Sequence, residues 1–241
     1  MPCAVCSSSA ITDLAHKRDY RFRRCSDCGF IFLDPMPSQE TLNEQYIDPG
    51  TEAEPTYDKA SSRMRRAVLK LPRFFPYAYK KDTLDLGCGG GFVAAVLALV
   101  ARSSTGVDIS RNAIDYARKR FHQPEFVCSN FADLLNMEKR FDFIYSSEVI
   151  EHVSDVNLYM QVLQRLIKPG GYVYITTPDS GHPAVPADIS QWDVFAPPIH
   201  VQFFNRETAT VLFTRYGFTI RKFYRNKKPG LIFLAQFDHA D

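Results

Sequence analysis

The stretch LDLGCGGGF, residues 84–92, lies at the end of a predicted strand and carries glycine at positions 87, 89, 90 and 91. Glycine lets the backbone turn tightly and approach a ligand with no Cβ in the way. A second run, GVDIS, places Asp108 twenty-three residues after Asp85. An acidic side chain at the end of the second strand is positioned to bind ribose hydroxyls. The glycine loop and Asp108 together predict a site for a nucleotide-containing cofactor.

From Thr83 onward, short apolar strands alternate with amphipathic helices. This alternation predicts an α/β fold, a doubly wound Rossmann-like sheet that is mostly parallel and has helices on both faces. Only NKKPG, residues 226–230, separates the last two strands, which is too short for a helical crossover, so we expect the last strand to be antiparallel. The seven strands are expected near residues 83–87, 104–109, 125–128, 141–145, 171–177, 218–225 and 231–237.

The spacing of the glycines narrows the choice of cofactor. It is G-x-G-x-G, and no G-x-x-x-x-G-K-[ST] is present, which excludes a P-loop. A glycine-rich turn after a strand also serves nicotinamide dinucleotides, so the glycines alone leave that class open. The full pattern D-x-G-x-G-x-G, starting at Asp85, resembles the first motif of class I S-adenosylmethionine-dependent methyltransferases, and GVDIS resembles their second.

This resemblance, which runs from Thr83 to the C-terminal end, implies a set of cofactor contacts. The glycine loop is expected to lie against the methionine part of S-adenosyl-L-methionine, with Asp108 on the ribose and Ile109 on the adenine. In CSNFADL, Asn130 and Phe131 stand where the family usually has an acidic residue for the adenine amino group. The predicted cofactor-binding residues are Asp85, Gly87, Cys88, Gly89, Gly91, Asp108, Ile109, Asn130, Phe131 and Ser146.

Four cysteines near the start form two pairs, Cys3-x-x-Cys6 and Cys25-x-x-Cys28, with 18 residues between them. Two such pairs are the ligand set of a four-thiolate zinc ribbon. Four thiolates leave no open coordination position, so the predicted zinc is structural. Cysteines that bind metal rather than form disulfides indicate a reducing compartment, and we expect a cytoplasmic protein.

The chain is expected to divide into three parts. Residues 1–47 form the small N-terminal zinc ribbon and a short helix that Ser38 caps and that ends near Tyr46. Residues 48–81 form a linker, 48–56, and a basic helical cover whose later part Pro72 and Pro76 are expected to break. Residues 82–241 form the cofactor-binding domain. The whole order, including FLDPMPSQETLNEQY and HVQFFNRETATVLFTRYGF, resembles bacterial zinc-ribbon-bearing methyltransferases, many of which act in sugar and small-molecule biosynthesis.

The stretch SSEVIEHV, residues 146–153, follows the fourth predicted strand at the sheet edge where open α/β folds bind ligands. Three hypotheses compete for Glu148, Glu151 and His152. They could share one helical face and bind a second divalent metal that lowers the pKa of an acceptor hydroxyl. His152 could instead be the catalytic base, oriented by a glutamate. Finally, the glutamates could cap the next turn while His152 packs.

The same stretch resembles two metal-using groups, the quinone-ring O-methyltransferases and the enzymes that 2′-O-methylate the 3′ ends of small RNAs. The second group adds a distant histidine, for which His200 is the candidate. His200 and Trp192 lie in a long insertion, residues 178–204, rich in proline and aromatic residues. We expect this insertion to bind the methyl acceptor as a lid, with ordinary packing as the alternative.

The composition limits the kinds of binding partner to be expected. The chain has 241 residues, 45% of them hydrophobic, and a net charge of +2, which does not argue for nucleic acid by itself. The longest apolar run, residues 92–101, is too short to cross a bilayer, so no membrane partner is expected. A small-molecule acceptor is predicted, and the sequence gives no signal for an oligomeric state. The alternatives are an inactive zinc-ribbon binding protein and an RNA methyltransferase guided by the ribbon and by Arg21, Arg23, Arg24, Arg63, Arg65 and Arg66.

Overall fold

The computed structural model describes residues 2–44 and 59–238. The predicted linker, residues 48–56, and the predicted helix end at Tyr46 lie outside these ranges. The strands are β1 (Ile11–Lys17), β2 (Tyr20–Cys25), β3 (Ile31–Leu33), β4 (Asp82–Leu86), β5 (Ser103–Asp108), β6 (Glu125–Cys128), β7 (Phe141–Ser147), β8 (Ile167–Pro178), β9 (Gln202–Phe203), β10 (Phe218–Tyr224) and β11 (Gly230–Phe237). The α-helices are α1 (Gln39–Asn43), α2 (Ala60–Ala78), α3 (Phe92–Ala98), α4 (Arg111–Arg120), α5 (Phe131–Leu134), α6 (Val156–Leu166) and α7 (Arg206–Arg215).

The larger sheet has seven strands in the order β10-β11-β8-β7-β4-β5-β6. Strands β4 to β8 are parallel, while β11 is antiparallel to both β8 and β10. The predicted seven-stranded α/β sheet with an antiparallel last strand is therefore confirmed. Because β4 is flanked by β5 on one side and β7 on the other, the chain reverses its direction of winding there. Ligands of open α/β sheets bind at such a switch point, beyond the carboxyl ends of the strands.

Helices cover both faces of this sheet. On one face, Phe74 of α2 and Leu97 of α3 pack in one cluster with Phe143 of β7. On the other face, Tyr159 of α6 and Phe213 of α7 belong to the largest cluster of buried side chains. Burial of apolar surface on both sides of a sheet is the main stabilising contribution of this architecture. None of the described helices is long and apolar enough to cross a membrane.

Helix α2 runs without interruption through both of its prolines, so the predicted break is wrong. A proline inside a helix removes one main-chain hydrogen bond and crowds the preceding turn. Packing compensates here, because Phe74 and Ala78 are fully buried. The Phe74 ring lies 5.1 Å from the rings of both Tyr145 and Tyr174. Tertiary contacts thus hold a segment that its local sequence disfavours.

The smaller sheet is antiparallel, with the order β1-β2-β3-β9. Its last strand comes from the insertion after β8 rather than from the N-terminal segment. Ile31 of β3 pairs with Phe203, and Phe32 pairs with Gln202. A single apolar cluster spans both segments and contains Phe22, Ile31, Leu33, Leu42, Ile189, Trp192, Phe195, Val201 and Phe203.

The short helix α1 follows this sheet. As predicted, Ser38 caps it, since its hydroxyl accepts a hydrogen bond from the main-chain N–H of Thr41 at 3.2 Å. Leu42 is the buried residue of the helix and packs into the shared apolar cluster. This contact fixes α1 above the carboxyl edge of the large sheet.

Candidate active site

The glycine loop joins β4 to α3 with a left-handed backbone at three glycines, where φ is +77° at Gly87, +49° at Gly89 and +79° at Gly91. A Cβ on Gly87 would lie 2.3 Å from Cγ2 of Val149, closer than real carbon contacts allow. The main-chain N–H groups of Gly87 and Cys88 both donate to the carbonyl oxygen of Val107, at 2.8 and 2.9 Å. Glycine is therefore required at position 87 by conformation and by space.

Asp108 ends β5 and accepts two main-chain hydrogen bonds. Its Oδ2 accepts from the N–H of Gly89 at 2.7 Å, and its Oδ1 accepts from the N–H of Ser110 at 2.9 Å. Burial raises the pKa of this carboxyl above its ordinary value. Each carboxylate oxygen can accept more than one hydrogen bond, so the capacity to bind a hydroxyl remains.

Asp85 lies deeper in the sheet than Asp108. Its Oδ2 accepts from the N–H of Ala94 at 2.9 Å, in the first turn of α3. Burial, with a smaller contribution from the negative charge of Asp108, raises the pKa of Asp85 to about 7. Asp85 is thus a buried support for the helix that follows the glycine loop.

One pocket opens at the carboxyl edge of the sheet, where the loops after β4, β5, β6 and β7 meet. Seven of the predicted site residues line it together. The lining residues are Gln39, Asn43, Leu86, Gly87, Val107, Asp108, Ile109, Ser129, Asn130, Phe131, Leu134, Glu148, Val149, His152 and Val153. Other predicted residues of the described chain lie outside this lining, namely Asp85, Cys88, Gly89, Gly91, Ser146, Glu151, Trp192 and His200.

Two of the predicted cofactor residues are engaged in local hydrogen bonds. Asn130 caps α5, with its Oδ1 accepting from the N–H of Asp133 at 2.9 Å and its Nδ2 donating to Asp133 Oδ2 at 2.8 Å. Ser146 is buried, and its hydroxyl accepts from the Tyr159 hydroxyl at 3.1 Å. Asn130 still faces the pocket, whereas Ser146 belongs to the layer behind it.

The pocket residues that sequence reasoning missed include Gln39 and Asn43 of α1. The Oε1 of Gln39 accepts from the main-chain N–H of Ser154 at 2.8 Å and from its hydroxyl at 3.0 Å. Its Nε2 donates to Asn43 Oδ1 at 2.9 Å. The N-terminal segment therefore contributes a wall of the pocket, and no motif or spacing in the sequence signals that contact.

The stretch after β7 is not a helix carrying three ligands on one face, so that prediction is wrong. Glu148 has a left-handed backbone with φ of +55°, and a 3₁₀ turn then spans Ile150–His152. The alternative of glutamate caps is also wrong. No described side chain caps the 3₁₀ turn, and Asp155 caps α6 by accepting from the N–H groups of Asn157 and Leu158. Glu148 instead accepts at Oε1 from the Thr176 hydroxyl at 3.0 Å.

Glu151, His152 and His200 form a compact cluster, with one potential ligand atom of each lying within 4.8 Å of the others. Glu151 is fully buried, and its Oε2 accepts from the Thr177 hydroxyl at 2.9 Å. Its Oε1 has no hydrogen-bond partner within residues 2–44 and 59–238 and lies 3.8 Å from His152 Nε2. Burial, followed by the charge of Glu148, raises the pKa of Glu151 well above its ordinary value.

Both histidines of this cluster are anchored through Nδ1. His152 Nδ1 lies 2.8 Å from the carbonyl oxygen of Ile199, and His200 Nδ1 lies 2.5 Å from that of Val194. A carbonyl only accepts, so each Nδ1 carries a proton. The ring centroids are 4.7 Å apart. Burial, with His200 nearby, lowers the pKa of His152 to about 4, so the ring is neutral near pH 7.

The four N-terminal cysteines come together as a second cluster. The Sγ atoms are 3.6 Å apart for Cys3 and Cys28 and 3.5 Å apart for Cys6 and Cys25. All four sulfurs lie within 4.8 Å of one another. The cluster is attached to α7, because the Thr208 hydroxyl donates to the Cys28 carbonyl at 2.6 Å.

Trp192 and two of the arginines considered for RNA contact other side chains of the protein. Trp192 is buried, with its ring 5.6 Å from Phe203 in the cluster shared with the N-terminal sheet. Two of the arginines considered for RNA, Arg21 and Arg23, pair with Asp34 at 3.0 and 3.3 Å. On α2, Lys70 donates to the Tyr145 hydroxyl at 2.7 Å.

An open α/β sheet with a glycine loop after one strand and a half-buried aspartate after the next defines a cofactor-binding enzyme of Rossmann-like architecture. A family model described as "Methyltransferase domain" matches residues 58–222. The chain belongs to this methyltransferase domain family. The predicted enzyme class is thereby confirmed at the level of the family.

Curated relatives agree with this assignment. A probable S-adenosylmethionine-dependent methyltransferase of Mycobacterium tuberculosis is 27% identical over 188 residues, which cover 77% of this chain and 66% of the relative. A ubiquinone biosynthesis O-methyltransferase of Thiobacillus denitrificans is 33% identical over 143 residues, which cover 56% of this chain and 59% of the relative. The matches thus span less than two thirds of the length of these relatives.

Solved structures share the fold at low sequence identity. An S-adenosylmethionine-dependent methyltransferase of Clostridium acetobutylicum has a TM-score of 0.57 at 15% identity, covering 76% of this chain and 96% of the other. The N-methyltransferase NodS of Bradyrhizobium japonicum, in complex with S-adenosyl-L-homocysteine, has a TM-score of 0.57 at 15% identity, covering 83% and 98%. The likeness confirms the predicted Rossmann-like architecture.

Proposed function

We propose that this protein transfers a methyl group from S-adenosyl-L-methionine to a hydroxyl of a small molecule or sugar. The observation that carries the proposal is the pocket in which the glycine loop after β4, Asp108 after β5 and the Glu148–His152 segment after β7 meet. Nucleotide cofactors of this fold class bind at that edge. The curated relatives include enzymes named for O-methylation in ubiquinone biosynthesis.

The residues of the pocket fit this cofactor. Asp108 is anchored by the Gly89 and Ser110 amides, so its carboxylate is held ready to accept from ribose hydroxyls. Ile109 and Phe131 supply apolar surface for the adenine, and Gly87 lets the methionine part approach the backbone. When bound, the cofactor supplies an electrophilic methyl group. The pocket contributes by holding the acceptor in line with that group.

Removal of a proton from the acceptor hydroxyl is assigned to the segment after β7. The buried Oε1 of Glu151, which has no hydrogen-bond partner among the described residues, and two imidazoles anchored through Nδ1 are a donor set that suits a divalent cation. Glu151, His152 and His200 would hold that ion. A bound divalent ion lowers the pKa of a hydroxyl that coordinates it. Glu148, which faces the pocket, would then orient the acceptor.

Direct proton transfer to His152 is the alternative within the same enzyme class. It requires that activity persists without a divalent ion, because His152 alone would accept the proton. The unpartnered carboxylate oxygen of Glu151 favours the metal hypothesis, since an ion supplies the missing partner of a buried polar atom.

Zinc is proposed at Cys3, Cys6, Cys25 and Cys28. Zn–S bonds of about 2.3 Å in a tetrahedron place the sulfurs about 3.8 Å apart, which matches the observed cluster. This donor set leaves no open position, so the role of the zinc is structural. Unoxidised thiols in such a cluster suit a reducing compartment, and we place the protein in the cytoplasm.

The test is calorimetric titration of the zinc-loaded chain with S-adenosyl-L-methionine and with S-adenosyl-L-homocysteine. Wild type is expected to bind both, and Asp108→Ala is expected to lose at least tenfold in affinity. Asp115→Asn, on the exposed surface of α4, is the matched control and is expected to bind as wild type does. No binding by wild type would replace this proposal with an inactive zinc-ribbon binding protein. Salt-sensitive RNA binding, with methyl transfer to RNA, would favour the RNA methyltransferase.

A further inference from the structure

Residues 199–202 lie between the N-terminal sheet and the 3₁₀ turn of the candidate site. The carbonyl oxygen of Val201 accepts from the main-chain N–H of Leu33 at 2.8 Å. The N–H of the same residue donates to the carbonyl oxygen of Glu151 at 3.0 Å. One peptide segment therefore connects the small sheet directly to the backbone of the turn that carries Glu151 and His152.

The side chain of Gln202 makes the second connection. It is 1% exposed, and its Nε2 donates to the carbonyl oxygen of Ile150 at 2.6 Å and to that of Val153 at 3.1 Å. These two carbonyls lie at the start and just beyond the end of the turn Ile150–His152. A primary amide has two N–H donors, so Gln202 uses both to clamp a turn that has no side-chain cap at its N-terminal end.

The same segment orients the imidazole of His152 and carries His200. Ile199 provides the carbonyl that accepts from His152 Nδ1, and His200 is the next residue. The three members of the proposed metal site therefore depend on the position of residues 199–202 relative to the turn. Ring nitrogens that bind metal are commonly oriented by a hydrogen bond from the other nitrogen, and losing such support costs 10- to 100-fold in metal affinity.

We propose that Gln202 is a positioning residue that holds Glu151, His152 and His200 in the arrangement needed to bind a divalent ion. This inference rests on the proposed function, because it assigns Gln202 to the metal site of that reaction. The inference also means that the N-terminal segment supports the candidate active site. Gln202 lies in β9, which pairs with β3 of the N-terminal sheet. Strand β3 therefore fixes the position from which Gln202 contacts the turn.

Two substitutions separate the hydrogen bonds from the size of the side chain. Gln202→Met keeps the length and apolar stem but has no donor. Gln202→Glu has nearly the same shape, but an ionised carboxylate only accepts and would face two carbonyl oxygens. The matched control is Gln191→Met, an exposed glutamine of the same insertion whose Nε2 donates to Asp188 Oδ2 at 3.2 Å.

The first measurement is titration of the full, zinc-loaded chain with Mn²⁺, alongside S-adenosyl-L-homocysteine. Both Gln202 variants are expected to bind Mn²⁺ about 10- to 100-fold more weakly than wild type, with cofactor affinity within about threefold. Gln191→Met is expected to match wild type. Unchanged Mn²⁺ affinity in both Gln202 variants overturns the proposal. An equal loss of Mn²⁺ and cofactor affinity also overturns it, because that pattern indicates general misfolding.

A second measurement distinguishes a failure of the metal site itself. Long-range ¹H–¹⁵N spectra of the histidine rings report which nitrogen carries the proton, without any added ion. Wild type and Gln191→Met are expected to show His152 protonated at Nδ1, and Gln202→Met is expected to show a mixture. If wild type binds no second ion, the metal part of the proposed function fails while the mixed tautomers still support Gln202 as a positioning residue. Identical ring spectra in wild type and Gln202→Met would refute that role.

Discussion

The main-chain N–H of Gly89 donates to Asp108 Oδ2 over 2.7 Å, which joins the loop after β4 to the end of β5. The other oxygen of Asp108 accepts from Ser110 at the start of α4. A single carboxylate thus fixes the glycine loop and the entry to the next helix, in addition to the cofactor contact proposed for it. Shape and charge of the pocket are set by the same residue.

Gly87→Ala should destabilise the protein strongly. The left-handed backbone costs a side chain about 1–2 kcal/mol, and the collision with Val149 adds about 1–3 kcal/mol. Gly170→Ala is the matched control, because Gly170 has a φ of +74° and no atom of residues 2–44 and 59–238 lies within 4 Å of the position that a Cβ would take. Thermal and urea unfolding should show the larger loss for Gly87→Ala. Equal losses in the two variants would mean that Val149 moves aside freely.

The raised pKa of Asp85 predicts that the stability of the cofactor-free protein depends on pH. Its folded pKa of about 7 lies above the ordinary value of 3.8, so the unfolded chain releases this proton first as the pH rises. The contribution of Asp85 to stability should therefore be greatest below pH 4 and fall between pH 4 and pH 7, with a total loss of up to about 4 kcal/mol from this group. Asp85→Asn should flatten that slope.

The measurement is urea unfolding from pH 4 to pH 8. Asn can still accept from the Ala94 amide, so the variant keeps the hydrogen bond at 2.9 Å. Asp115→Asn, an exposed substitution, should leave the slope as in wild type. A wild-type slope that survives in Asp85→Asn would assign the proton release to another group.

Lys168 links the first strand of the large sheet to β7 by contacting Asp82 Oδ2 at 2.7 Å and Asp142 Oδ2 at 2.9 Å. The hydrogen bond from Arg102 lowers the pKa of Asp82 despite opposing burial, and that of Asp142 is lowered because main-chain and Lys168 contacts outweigh burial. Groups with depressed folded pKa values stabilise the protein above their unfolded pKa, near 4, and lose that effect as the pH falls.

Lys168→Met should therefore cost about 1 kcal/mol at pH 7, since solvent screens a pair that is partly exposed. The difference from wild type should shrink as the pH falls from 5 toward 3. Lys139→Met is the comparison, because Lys139 pairs with the more exposed Glu125 at 2.9 Å and should cost less. Chemical unfolding at several pH values provides the test, and a cost that does not vary with pH would argue against the ion pairs.

Metal content should distinguish the cluster of four cysteines from the cluster of Glu151, His152 and His200. Elemental analysis of wild type is expected to find one zinc that survives mild chelation, together with a second divalent ion that chelation removes. Cys28→Ser should lose the zinc and much of the stability, since a structural zinc contributes directly to folding. His152→Ala should lose only the labile ion. A single ion in wild type, retained in His152→Ala, would leave His152 as the candidate base.

The meeting of the glycine loop and Asp108 at one edge of the sheet could be predicted from sequence because its determinants are local. The loop from Gly87 to Gly91 and the aspartate at 108 each follow a strand directly, and parallel strands bring their carboxyl ends to one edge. The four cysteines are a similar case, since the spacing within each pair sets its geometry.

The wall formed by Gln39 and Asn43 could not be predicted, because it depends on how α1 docks against Ser154, 115 residues away. The two hydrogen bonds that Gln202 donates to the turn depend on a distant contact in the same way, because Gln202 lies in β9, the strand that pairs with β3. The prediction that Glu148, Glu151 and His152 share one helical face is wrong. Over so few residues, helical spacing fits a 3₁₀ turn that follows a left-handed residue equally well. The predicted break in α2 is wrong because the packing of Phe74 outweighs the destabilising effect of the two prolines.

The pairing of Ile31 with Phe203 has a consequence for biosynthesis. Protein chains emerge from the ribosome N-terminal end first, and early segments fold as soon as their partners exist. The cysteines and β1 to β3 emerge early, yet the strand that covers the edge of β3 is made about 170 residues later. An open strand edge invites association with other chains. The zinc site proposed at the cysteines would therefore form well before β3 is covered. The contacts that Val201 and Gln202 make with the 3₁₀ turn Ile150–His152 would form only once that edge is closed.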